Sequence, residues 1–189
     1  MKRLIILLMA FIMVFSIGCN RYNLAEAAKA KTSTKVTTTV VKTTKKTTAK
    51  KKATKKITVN TKKYKKEIQM IAKAIYREAR GVKSKAQQAA VAWCILNRVD
   101  AKGFPNSISK VITQPHQFAW CPNTPVKKEF EKLAEDVVKR WLLEKKGQKK
   151  VGRTLPKGYL YFYGDGKRNH FRKTYRGKTT WNWSLPSPY

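Results

Sequence analysis

Ile68-Gln-Met-Ile-Ala-Lys-Ala-Ile-Tyr-Arg-Glu-Ala-Arg-Gly81 is the stretch from which the rest of the chain can be read. Ile68, Ile71, Ala72, Ile75, Ala79 and Val82 recur at spacings that put them on one stripe of an amphipathic helix. The helix is expected from about Tyr64 to Arg80, with Gly81 as its stop. Glu78 follows Ile75 by three residues and Ile71 by seven, so it projects beside the stripe and not opposite it. A carboxyl group there is partly withdrawn from water, which raises its pKa toward the range a general acid needs. Arg77 and Arg80 oppose that rise. The plainer alternative is a part-exposed Glu paired with Lys73 or Arg80.

Working outward, Ser84-Lys-Ala-Gln87 is a capping box that opens a second helix. Its run Ala89-Ala-Val-Ala-Trp-Cys-Ile-Leu96 is apolar on every face, which marks a buried central helix. Asn97 and Arg98 end that run. Gly103-Phe-Pro105 reads as a turn, and Ser107 as the cap of a short helix through Ile112. Gln114-Pro-His-Gln-Phe-Ala-Trp-Cys-Pro122 has no period and carries aromatic and amide groups, the composition of a site-lining loop. Thr124 and Pro125 are placed as N-cap and first residue of a long helix. Val126, Phe130, Leu133, Val137 and Trp141 form its apolar stripe and Gly147 closes it. Tyr159 to Tyr163 alternate as a strand, Asp165-Gly166 turn the chain, and Lys167 to Tyr175 return. The expected fold class is α+β: a small, mainly helical domain over residues 64–189 with one short antiparallel β-hairpin.

The 189 residues carry a formal net charge of +33. Fifteen Lys, twelve Thr and no acidic residue lie between Lys29 and Lys66. Such a segment cannot bury enough apolar surface to offset its ordering entropy, so residues 29–63 are expected to be a disordered basic linker. The domain is basic as well, so an anionic partner is implied: nucleic acid, anionic lipid or phosphate-rich wall polymers. Met1-Lys-Arg and the apolar run Leu4 to Ile17 have the form of a signal peptide, expected over residues 1–28, and leave no stable membrane span once cleaved. Gly18-Cys19 also hints at lipoprotein processing, with Ser16-Ile17 a poor match for it. Export makes nucleic acid an unexpected partner. Cys94 and Cys121 allow one disulfide or two buried thiols.

Ala74-Ile-Tyr-Arg-Glu-Ala-Arg-Gly81, Gln88-Ala-Ala-Val-Ala-Trp-Cys-Ile-Leu-Asn-Arg-Val99, Phe104-Pro-Asn-Ser-Ile-Ser-Lys-Val-Ile112 and Gln117-Phe118 come in that order. Together they resemble the catalytic domain of the SleB/CwlJ-type cell wall hydrolases, the spore-cortex-lytic enzymes and their relatives. The resemblance covers Ile68 to Trp120 well and the last third loosely, where Tyr159 to Asp165 and then Asn169-His-Phe171 stand with the intervening segment shortened against the family pattern. It implies a lysozyme-like domain that cleaves peptidoglycan glycan strands, with Glu78 as the essential acid and lytic transglycosylase chemistry in the best-known members.

Cleaving a glycosidic bond needs a proton on the leaving oxygen as an oxocarbenium-like centre develops. Hydrolysis usually adds a second carboxylate, a nucleophile about 5 Å away or a more distant base. Asp100, Asp165 and the acids of the long helix are the candidates, and each has a plainer role as a turn former or solvated charge. A single glutamate acting first as acid and then as base is therefore favoured, with two-carboxylate muramidase hydrolysis as the alternative. Tyr76, Gln117, Phe118, Tyr161, Tyr163 and Asn169 are the candidate sugar-binding residues, for stacking faces and amide groups. Trp181 and Trp183 are stacking candidates or a C-terminal anchor, and His170 a contact or an ordinary bonded histidine. A thiol peptidase using Cys94 or Cys121 with His116 or His170 lacks a nucleophile motif, and zinc on His116, Cys121 and His170 matches no ligand spacing. No metal or cofactor is expected. The partners expected are peptidoglycan and anionic wall polymers, the location secreted and wall-associated, and the state monomeric. The non-enzymatic alternative is a polycation that only binds walls.

Overall fold

The computed structural model describes residues 57–189. The expected signal peptide, and residues 29–56 of the expected linker, lie outside the described residues. A 3-10 turn, Lys62–Tyr64, leads into α1, Lys65–Ala79, followed by α2, Lys85–Asp100, α3, Ile108–Ile112, and α4, Lys128–Lys145. Two strands, β1 at Tyr161–Gly164 and β2 at Asn169–Arg172, pair antiparallel with Tyr163 opposite His170 and Tyr161 opposite Arg172. The architecture is the mainly helical domain with one β-hairpin expected from the sequence.

All six stripe residues, Ile68, Ile71, Ala72, Ile75, Ala79 and Val82, are buried. α2 is buried from Ala89 through Arg98 and packs against α1, α3 and α4. Removing a side chain the size of Ile71, Ile75, Ile95 or Leu96 from water contributes about 1.5–3 kcal/mol each, and each of these is fully buried. The Ser84 hydroxyl accepts from the Gln87 N–H, and the Ser107 hydroxyl from the Lys110 N–H, so both expected caps form.

One local expectation is corrected, and an open one is settled. α4 starts at Lys128 with Lys127 as its N-cap, not at Thr124-Pro125. The Thr124 N–H instead closes a turn onto the Cys121 carbonyl, which holds this stretch out of the helix. α1 ends at Ala79 with Gly81 just past its stop as expected, and the Val82 N–H turns the chain onto the Ala79 carbonyl without a left-handed φ at Gly81. Cys94 is a free thiol buried inside α2, so it forms no disulfide with Cys121. Burial pushes the Cys94 thiol up to about 12, against the pull of Arg98. A thiol-alkylating reagent is expected to leave Cys94 unmodified in the native protein and to label it after denaturation, as peptide mass will show.

A polar brace holds the far end of α2. Asn97, 4% exposed, donates through Nδ2 to the carbonyls of Pro156 (2.9 Å) and Tyr159 (3.1 Å). Its Oδ1 accepts from Arg153 Nη1 at 3.0 Å, and Arg153 Nε donates to both oxygens of Glu144 on α4 at 3.1 Å. Trp181 Nε1 donates to the Thr154 carbonyl, and its backbone N–H to the Phe171 carbonyl. The Trp183 ring meets Phe171 edge-on. Both tryptophans thus pack down as anchors.

Candidate active site

Glu78 lies in the last turn of α1, half-buried, where the buried stripe places it against the loop after α3. Its Oε1 accepts a hydrogen bond from the Ala119 N–H at 2.6 Å. The neighbouring Arg77 Nε donates to the carbonyl of the same residue, Ala119, at 3.1 Å. Two consecutive helix residues therefore grip one loop residue by its donor and its acceptor. The Trp120 N–H closes a tight turn onto the Phe118 carbonyl at 2.7 Å, with Ala119 at its centre.

Burial raises the Glu78 carboxyl above the ordinary carboxylate range; the Ala119 N–H, Arg77 and Arg98 each pull it down without cancelling the rise. Arg80 is spent elsewhere, its guanidinium 5.2 Å from the Tyr76 ring centroid. The cations that flank Glu78 in sequence are thus held by a carbonyl and by a ring.

The third cation was not singled out in the sequence. Arg98, at the end of the apolar run of α2, is 3% exposed. Its Nε donates to the Leu160 carbonyl at 2.6 Å and its Nη1 to Gln117 Oε1 at 2.9 Å. Phe118, Phe104 and Tyr161 surround the guanidinium with ring centroids at 4.9, 5.1 and 5.4 Å. The available signal was its register: Arg98 falls four residues after Cys94, on a helix with no polar face, where a cation needs built partners.

Gln117, Phe118 and Tyr161 are brought together around Arg98. Asn169 is 3% exposed, and its Nδ2 donates to the Glu78 backbone carbonyl at 3.3 Å. Its own N–H donates to Gln87 Oε1, so Asn169 ties the hairpin to both helices. Tyr163 stands 44% exposed on the hairpin, stacked on His170 at 4.8 Å with the Arg172 guanidinium over it. Tyr175, missed in the sequence, is 72% exposed and extends this aromatic surface, its ring 5.8 Å from that of Tyr161. Tyr76 is placed apart from these, packing edge-on against Phe130 of α4.

Of the other carboxylates weighed as catalytic partners, all but the exposed Glu129 are held by other groups. Asp100 accepts from Trp141 Nε1 at 2.8 Å and Lys145 Nζ at 2.7 Å. Asp165 accepts from the Lys167 and Arg168 N–H groups and pairs with His170 at 2.8 Å. Glu131 is bonded by Gln69, Glu135 by Thr61, Asp136 by Arg140, and Glu144 by Arg153. Among the described residues no group of three or more His, Cys, Asp or Glu side chains is gathered as a metal site.

The profile of one family, described as cell wall hydrolase, matches residues 82–183. The chain belongs to that family. The matched span includes Arg98, the Gln117–Ala119 loop and the hairpin, and begins four residues after Glu78. Two spore cortex-lytic enzymes of Bacillus cereus are each 48% identical to the chain over 52 residues, 28% of this chain and 20% of theirs. The match therefore spans about a fifth of those relatives. No solved structure matches.

The Ala119 N–H gives a test of the site that needs no substrate. Ala119→Pro deletes that donor, and as the centre of a three-residue turn without a positive φ Ala119 stands near the φ that proline fixes. Because the bond favours the ionised carboxylate, its loss is expected to move the Glu78 pKa further up in a carbon NMR titration. An unchanged titration would show that the Ala119 contact does not act on the acid.

Proposed function

We propose that this chain degrades peptidoglycan by cleaving its glycan strands, and that it does so as a one-glutamate lytic transglycosylase. The observation that carries the reading is Glu78, a half-buried acid with a raised pKa, one oxygen held by a backbone N–H, in a domain whose other candidate carboxylates are bonded elsewhere or, as Glu129, exposed to water. The protonated Glu78 gives its proton to the glycosidic oxygen as the bond from C1 of the muramic acid residue breaks. The Glu78 carboxylate so formed takes the proton of that residue's C6 hydroxyl, and O6 closes on C1 to leave a 1,6-anhydro end. No water enters the products. Acceptance of the Ala119 N–H by Oε1 leaves the second oxygen to carry the proton both ways. Gln117, Phe118, Tyr161, Tyr163 and Asn169 are the sugar-side residues of this reading, joined by Tyr175; Tyr76 has a packing role on α4.

The family and the relatives' name, spore cortex-lytic enzyme, support a wall substrate. In this reading the chain is exported, acts as a monomer at the wall, and is held to anionic wall polymers by its basic segment. Mass analysis of the products of purified peptidoglycan tests the mechanism. Muropeptides with anhydro ends, each one water lighter than the reducing form, are the expected result; reducing ends would replace it with muramidase hydrolysis. Deleting residues 29–56 separates enzyme from polycation, since an enzyme retains activity on soluble glycan fragments while losing wall adsorption.

A further inference from the structure

Arg98 is a costly group to bury: an arginine at 3% exposure at the end of the apolar run of α2, with no ion pair to any carboxylate among the described residues. It is anchored instead by two hydrogen bonds, to the Gln117 side chain in the loop and to the Leu160 carbonyl at the start of the hairpin, and by three rings from three different segments. We propose that Arg98 is the positioning residue of the site, a guanidinium that locks the loop carrying Ala119 and the strand carrying Tyr161 in fixed register with Glu78. The proposal rests on the reading of Glu78 as the acid.

The geometry explains why an arginine and not an apolar residue stands here. The loop has no periodic structure, and Gln117 is linked to Ala119 through only one residue. Fixing the Gln117 amide fixes the approach of the Ala119 N–H to Glu78. The planar fork of a guanidinium can serve the Leu160 carbonyl and Gln117 Oε1 at once, whereas an ammonium is a point donor. The charge adds a second function. When Glu78 has given up its proton, the site holds a new carboxylate in a partly dry place, and Arg98 is a cation that needs no movement to stabilise it. The groups facing Glu78 are Arg77 on α1, Arg98 and the neutral thiol of Cys94 on α2, the Ala119 N–H of the loop, and the uncharged Asn169 on β2.

The test compares Arg98→Lys and Arg98→Gln with wild type and Glu78→Gln, on purified peptidoglycan across pH. A general acid loses activity as pH rises through its pKa. Loosening the Ala119 N–H and removing the Arg98 charge both raise that pKa, so the alkaline limb is expected to move upward. The move should be larger for Gln than for Lys, with kcat down at least about tenfold and KM changed much less. A side chain with only a structural role would lower the amount of folded protein and leave the limb where it was. An unmoved limb in a folded Arg98→Lys protein overturns the proposal, whatever Arg98→Gln does. If Glu78→Gln is inactive while that limb stays put, the acid stands and Arg98 falls; if Glu78→Gln is active, the reading of the site falls first.

Discussion

Glu78→Gln is expected to abolish wall lysis while leaving the fold intact. Glutamine keeps an oxygen where Oε1 accepts the Ala119 N–H, and its amide is neutral, as the protonated acid is, so burial does not oppose it. The substitution removes only the proton that must reach the leaving oxygen and the carboxylate that must receive the next one. Positioned general acid–base catalysis contributes about 10²- to 10⁴-fold. Because one group carries both steps in the proposed mechanism, the loss is expected at the upper end of that range. Turbidity of a wall suspension measures the activity, and a thermal melt within a few degrees of wild type controls for folding. A folded variant that lyses walls at the wild-type rate would remove Glu78 from the mechanism.

The largest effect on stability is expected from Arg153→Ala. The side chain of Arg153 is 10% exposed and that of Glu144 is 17% exposed. Truncation strands the Glu144 carboxylate with Lys157, 3.6 Å away and 67% exposed, as its only remaining ion-pair partner among the described residues. It also strips Asn97 Oδ1 and the Leu155 carbonyl of their donor, and the Trp93 ring of a guanidinium 4.1 Å from its centroid. Breaking one side of a buried pair costs about 3–5 kcal/mol; with Lys157 able to follow the carboxylate, about 3 kcal/mol is the expected loss. Lys145→Ala is the control, since the Lys145 side chain is 49% exposed and its pair with Asp100 is worth less than about 1 kcal/mol. Urea unfolding should show the Arg153→Ala midpoint well below that of Lys145→Ala with the slope unchanged. Equal midpoints would mean that the brace from α2 to α4 carries no stability of its own.

Local patterns were legible where a single helix or turn decides the outcome. The α1 stripe, the two serine caps, the all-apolar α2 and the Asp165-Gly166 turn each depend on residues within about one helical turn of one another. Thr124 failed because its N–H was claimed by Cys121, a loop contact that no cap pattern anticipates. The site was legible in part for the same reason. Glu78 could be placed beside an apolar stripe, but its partners Ala119, Arg98 and Asn169 come from three other segments. Ala119 acts through its backbone, which composition cannot reveal. Arg98 looked like the end of a run, whereas its role depends on Leu160, 62 positions further along the chain.

The uniform apolarity of α2 has a consequence for how the chain reaches this state. α1 and α4 each own a polar face and can wait in water half-covered, but α2 has none, and its exposure at any stage is exposure of a sticky rod. Its neighbours in sequence, α1 and α3, are also among the helices it packs on. A chain emerging from its N-terminal end therefore has only α1 in hand as α2 forms, and waits on α3 and α4 for the rest.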